Sequence, residues 1–213
     1  MSIKKLILVP SIITLAITLL RLTGELMHWS PALFNPAAGG GGAIVGIAWL
    51  VPVFGAYFGW KLAGAGEGPA GVGAAIGYSF LAVAQMPLLG FLAIKLGGLP
   101  PQGFSTFGVF IVLSILGAFL AFRAWPALGR TLLAYALAAR IPVILVMLFA
   151  ILGNWGTHYD VAPPNFPAMS PLAKWFAIGV LPQLTIWIWF TMAVGALCGS
   201  IAAAIAGRKQ GAA

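Results

Sequence analysis

KKLILVPSIITLAITLLRLTGELMH, residues 4–28, sets two lysines ahead of fifteen uncharged residues and then places Arg21, Glu25 and His28 within eight positions. A basic pair before an apolar run is the layout of a secretory leader. Where a small-residue cleavage site belongs, however, the chain reads Arg21-Leu22-Thr23-Gly24-Glu25. The stretch is therefore expected to remain as a membrane-spanning helix over residues 5–26.

Composition extends that reading to the whole chain. Of 213 residues, 62% are hydrophobic and 7% are charged, whereas a soluble domain carries roughly a quarter charged residues. So little polar surface cannot cover a water-facing globule, and apolar runs of about 20 residues suit a hydrocarbon layer about 30 Å thick. The net charge of +8 is spread over Lys and Arg at the ends of apolar runs and forms no stripe, so no nucleic-acid partner is expected. These cations read as topology signals in a lipid bilayer and as contacts for anionic lipid headgroups at the cytoplasmic face. A single cysteine, Cys198, excludes an intramolecular disulfide and a CxxC site.

Punctuation by Pro, Gly and charge predicts an all-α polytopic membrane protein, a six-helix bundle in one domain, residues 1–213. The spans fall at about 5–26, 43–63, 70–95, 105–122, 138–155 and 183–207. Turns are expected at Glu67-Gly68-Pro69 and at Gly97-Gly98-Leu99-Pro100-Pro101. Residues 127–139 are expected either along the cytoplasmic interface or as an earlier entry of the fifth helix that carries Arg140 deeper into the bilayer. The uncharged run 175–207 is too long for one crossing and too short for two, so it is divided at Pro182 into an interfacial amphipathic lead-in, 172–181, and a last span. Lys4, Lys5, Lys61, Arg123, Arg130, Arg208 and Lys209 then share one side, against Arg21, Lys95 and Lys174 on the other. That bias puts both termini in the cytoplasm of a bacterial inner membrane. In size, span number and charge the chain is similar to the substrate-binding components of vitamin-uptake transporters, a similarity of architecture that no motif carries.

Helices in lipid approach closely through small residues. Gly42 with Gly46, Gly55 with Gly59, Gly73 with Gly77 and Gly195 with Gly199 supply the four-residue spacing, which would serve packing within the bundle, self-association or a membrane-complex partner. Pro10, Pro52, Pro87, Pro142 and Pro182 predict kinks, and Gln85 and Gln183 lie beside two of them as candidate solute-binding groups.

Chemistry is expected in two places. At the outer face, Glu25 and His28 have the Glu-x-x-His spacing, and His158 and Asp160 lie two apart on an extended loop. Brought together they would make a two-histidine, two-carboxylate zinc or iron site, or leave His158 and Asp160 as a catalytic acid/base pair. Asn154, Trp155 and Tyr159 on that same loop could bind a headgroup or sugar by stacking and hydrogen bonding. Within the bilayer, Arg140 would either snorkel to the inner headgroups from the first turn of the fifth span or lie deeper as an anion ligand. No haem or nucleotide signature is present. Three functions follow: binding or transport of a small solute or lipid, an outer-face membrane enzyme, or a structural subunit.

Overall fold

The computed structural model describes residues 1–100 and 103–210, without the side chains of 208–210. Pro101, at the end of one predicted turn, and the side chains of Arg208 and Lys209 in the charge count lie outside the described residues. The described residues form helices joined by loops, with no strand. In order it forms α1 (Ile3–Leu26), α2 (Leu50–Gly64), α3 (Val72–Lys95), α4 (Phe104–Ala124) and α5 (Pro126–Gly153). A compound last helix follows: α6 (Pro171–Lys174), a π-helical stretch (Trp175–Val180), α7 (Leu181–Leu184) and α8 (Ile186–Gln210). Five segments are long and apolar enough to cross a membrane: α1, α3, α4, α5 and the compound helix from Pro171 to Gly207.

Three expectations change. Residues 43–49 of the second predicted span are not helical, and α2 holds only 15 residues, about 22 Å at 1.5 Å per residue. Positive φ at Gly39, Gly40 and Gly42 turns the preceding chain too sharply for helix. Residues 127–139 are not a separate segment: Pro126 opens α5 at its first turn and the helix runs unbroken for 28 residues, because a proline there loses no intrahelical bond. Pro182 does not divide the last run either. Its missing donor is absorbed upstream, where Trp175–Val180 widens into π turns, and the only interruption before α8 is Thr185.

The helices alternate in direction. The Met1 ammonium contacts Glu67 and the Trp125 indole donates to the Glu67 carbonyl at 2.8 Å. The N-terminus, the α2–α3 turn and the α4–α5 junction therefore share one end of the bundle. The loops after α1 and α5 meet at the other, where His158 bonds to Glu25. A large apolar core fills the half nearer the termini, with Phe54, Phe58 and Tyr135 in edge-to-face contact at 5.4–5.6 Å. A small one, Val143, Met147, Ala150 and Tyr159, fills the other half.

The tightest seam is α2 on α8. A Cβ built on Gly55 would lie 2.5 Å from the Gly195 Cα, and one on Gly59 would strike the Gly199 backbone. Two of the four predicted glycine pairs are thus matched to each other inside the chain. Gly42 and Gly46 lie in the irregular loop, whereas Gly73 and Gly77 on α3 face open space.

Candidate functional site

The buried face of α1 is polar where a membrane helix is expected to be apolar. Thr14, Thr18, Arg21 and Glu25 follow at intervals of four, three and four, which is one face of a helix. All four are buried. The Thr14 hydroxyl donates to Pro10 O at 2.8 Å, so the 2.7 Å bond between Thr14 and Tyr135 takes its hydrogen from the phenol. Thr18 donates back to Thr14 O, and Thr18 O in turn accepts from the Tyr159 hydroxyl at 3.3 Å. A line of hydroxyls therefore marks the seam from the middle of α1 to its outer end.

At that end one carboxylate gathers three elements. Glu25 Oε1 accepts from Arg21 Nε at 2.8 Å and from His158 Nδ1 at 2.5 Å, and its Oε2 accepts from the His158 main-chain N–H at 2.8 Å. Arg21 Nη2 continues to the carbonyls of Gly40 at 2.8 Å and Asn35 at 3.2 Å. Gly40 is fixed twice: its φ is +62°, and a Cβ there would crowd the His158 ring at 2.7 Å. Burial outweighs the neighbouring carboxylate and holds the His158 imidazole below the ordinary histidine range. At neutral pH the contact is thus a hydrogen bond from a neutral ring, with the proton on Nδ1 and the lone pair on Nε2. Burial also pushes the Tyr159 phenol upward, which keeps it neutral.

The four outer residues do not converge. Glu25 and His158 touch, but α1 ends at Leu26, and His28 swings out at φ 52° into an exposed position. Asp160 turns its carboxylate into its own loop, accepting from the N–H groups of Gly156 and Thr157 and from the Thr157 hydroxyl at 2.7–2.9 Å. Among the described residues no three His, Cys, Asp or Glu side chains are grouped to hold a metal ion, so the expected zinc or iron arrangement is not formed. Nor does Asp160 bond to His158; Glu25 does. The predicted stacking surface splits as well. Asn154 caps α5 in the left-handed conformation, Trp155 lies against Gly153, and Tyr159 is buried.

Midway along α5, between the two apolar cores, stands Arg140. It is 3% exposed and about 21 Å along the helix from Pro126 at 1.5 Å per residue, too deep to snorkel from a first turn. Its guanidinium lies over the Trp187 ring at 4.5 Å, a cation–π contact worth about 2 kcal/mol when desolvated. Nη1 reaches Gln183 Oε1 at 3.4 Å, and Nε has no hydrogen-bond partner. Among the described residues no carboxylate pairs with it. Gln183 thus joins Arg140, whereas Gln85 does not. Gln85 Nε2 donates to Leu113 O at 2.9 Å and ties α3 to α4.

No protein-family model, curated protein or solved structure matches this chain. Function is therefore read from these two arrangements.

Thr14, Thr18 and Tyr135 line the seam between α1 and α5, and reading for charged and metal-ligating groups passes over them. The signal was nevertheless present: polar residues at positions 14, 18, 21 and 25 keep helical spacing through an otherwise apolar span.

Proposed function

We propose that this chain is a six-crossing protein of the bacterial inner membrane that binds, inside its bundle, the anionic group of a small solute or lipid, with Arg140 as the anchor. One observation carries the reading: a guanidinium buried at mid-helix with an aromatic ring beneath it and, among the described residues, no acid paired with it. A cation in that position costs several kcal/mol unless something pairs with it. A carboxylate or phosphate from outside the chain supplies the missing charge. The Gln183 amide N–H offers a further donor, and a planar guanidinium suits either oxyanion in bidentate fashion.

The sixth crossing is α2 with the irregular residues 43–49 ahead of it. Non-helical backbone is tolerated at membrane depth where its polar groups are satisfied, and just ahead of these residues Arg21 and Asn35 bond the carbonyls of Gly40 and Gly41. Alternating helices and the lysine and arginine bias together support a cytoplasmic position for both termini. In a Cys198→Ala background, a cysteine replacing exposed His28 should react with an impermeant maleimide on intact cells, and one replacing Glu67 should react only after permeabilisation. The reverse pattern would invert the topology.

Ligand binding is tested by native mass spectrometry of the protein released from mild detergent, before and after incubation with phosphatidylglycerol or inorganic phosphate. Wild type is expected to retain one anionic adduct, and Arg140→Gln is expected to lose at least about tenfold in occupancy. Uptake of phosphatidylglycerol alone identifies a lipid, and uptake of phosphate identifies a soluble anion. Equal occupancy in Arg140→Gln, or no adduct on wild type with either probe, would end the reading.

A further inference from the structure

At the end of the bundle that holds the N-terminus, α2 and α8 part. The parallel register that sets Gly55 on Gly195 and Gly59 on Gly199 next brings Ala63 beside Ala203, and both of these residues line a cleft of about 180 Å³. Gly64, Gly68, Ala206 and Gly207 complete most of its wall. The wall is nearly bare of side chains. A Cβ built on Gly64 or Gly207 would meet nothing within 4 Å, and one on Gly68 would reach only the Ala63 Cα at 4.0 Å. A second, more open hollow of about 410 Å³ adjoins the cleft at Gly64 and is walled by Trp60, Lys61 and Ala65.

Lys61 stands where the two meet. Its ammonium lies 4.9 Å from the Trp60 ring and 5.9 Å from the Tyr57 ring, so the side chain is laid back along the exposed face of α2. Among the described residues no carboxylate pairs with it. Glu67, the acid nearest in sequence, is taken by the Met1 ammonium. The closing carbonyls of α2 are occupied too: those of Lys61, Leu62 and Ala63 accept the N–H groups of Ala65, Gly66 and Glu67 inside the turn. An anion approaching Lys61 therefore meets little local repulsion. Before Lys61 in the chain, Val53, Tyr57 and Trp60 follow at intervals of four and three, which is one helix face, and all three are exposed. That face is apolar up to Trp60 and cationic one residue later. An interfacial tryptophan followed by a lysine marks the level of the lipid headgroups.

We propose that this cleft is a binding site for a single anionic phospholipid, with the phosphodiester on Lys61, the glycerol region in the glycine-walled cleft and one acyl chain along Trp60, Tyr57 and Val53. A bare apolar cleft left empty forfeits the contacts of its walls, and water gains too few polar partners there to fill it well. Lipid is the solvent that reaches it. The unpaired ammonium selects the headgroup: phosphatidylglycerol brings a phosphate alone, whereas phosphatidylcholine carries its own cation beside the phosphate and offers Lys61 no net charge. The apolar groove leading to the cleft favours a lipid over a soluble anion. The site shares no residue with the Arg140 arrangement and does not rest on it.

The test uses the full chain in nanodiscs, with Cys198→Ala and a bimane fluorophore on Val53→Cys, quenched by brominated phosphatidylglycerol or brominated phosphatidylcholine. Val53 lies 11 residues before Gly64 in the chain, about 16 Å along the helix, so the label follows the acyl chain and leaves the cleft free. The quenching ratio is expected to show about a fivefold preference for phosphatidylglycerol. The same label on exposed Val112 of α4 should show no preference. Lys61→Gln should bring the ratio at Val53 to about one, and Lys61→Arg should keep it. Gly64→Leu, whose side chain enters open space and not the fold, should abolish the preference with an unchanged melting temperature. If that variant aggregates, Lys61→Gln, altered only at an exposed position, still decides. A lysine in a last helical turn also offsets the helix dipole; a lower melting temperature in Lys61→Gln with the lipid preference intact would assign it that role and overturn the site. Equal quenching by the two lipids in wild type, or a preference removed by inorganic phosphate, would overturn it as well. The preference should survive Arg140→Gln, and its loss there would move the lipid to Arg140 and end this proposal while sparing the other.

Discussion

Gly59→Val is expected to remove most of the folded protein, with a loss of roughly 3 kcal/mol or more, at the upper end of what overpacking a close interface costs. The added atoms would have to enter the backbone of Gly199, and those of Gly55→Val the backbone of Gly195. A backbone atom inside a helix cannot rotate aside as a side-chain tip can. The only relief is separation of α2 from α8, which would also loosen Phe54 and Phe58 from Tyr135. Gly77→Ala provides the contrast. Nothing lies within 4 Å of its added Cβ, and alanine is favoured over glycine in a helix by about 1 kcal/mol, so that variant should be unchanged or slightly more stable. Thermal unfolding in detergent micelles, followed by far-ultraviolet dichroism, measures both. A Gly59→Val protein that melts within about 2 °C of wild type would mean that the α2–α8 seam is not as close as described.

Glycine spacing alone could not distinguish these cases, because the same four-residue pattern occurs in α2, α3 and α8 and only the facing helix decides which pair is used. Membrane class and the long spans were legible for a simpler reason: apolar length is a local property, and α1, α3 and α4 fall close to the positions that charge and turn residues assign. Failures occurred where a proline or a glycine run had to be weighed against its surroundings. Pro126 lies between two predicted spans, and at the first position of a helix it is a start. Pro182 was read as a break, yet a π stretch absorbed it. The irregular loop before α2 exists because Arg21 and Asn35 satisfy its carbonyls, and that pairing joins residues up to 19 apart in sequence. At the candidate site, Glu25 and His158 were both chosen from the sequence. Their contact spans 133 residues, and helix geometry alone would have drawn Glu25 toward His28 instead. Sequence spacing describes which residues share a face only while the helix continues, and α1 stops two residues short of His28.

Ligand-stripped Arg140→Leu is expected to be more stable than ligand-stripped wild type, by roughly 1–3 kcal/mol, while binding no anion. Desolvating an unpaired guanidinium costs several kcal/mol. The contact with Trp187 returns about 2 kcal/mol, and a 3.4 Å approach to Gln183 is too long to return much. Leucine fits the same apolar surroundings, Ala136, Val143 and Ile144, without that deficit. A residue kept for structure behaves in the opposite way: its removal strips partners of their bonds and lowers stability. The sign of the change therefore separates the two roles, whereas loss of activity alone would not. Ligand must be removed first, since an anion bound only to the folded state would stabilise wild type by mass action and conceal the effect. Arg140→Lys extends the argument. Lysine restores the charge but neither the planar fork nor the face that lies on the indole, so anion occupancy should recover only in part, to about a tenth of wild type. Should Arg140→Leu unfold more readily than stripped wild type, the guanidinium holds the bundle together and the anion must be sought elsewhere.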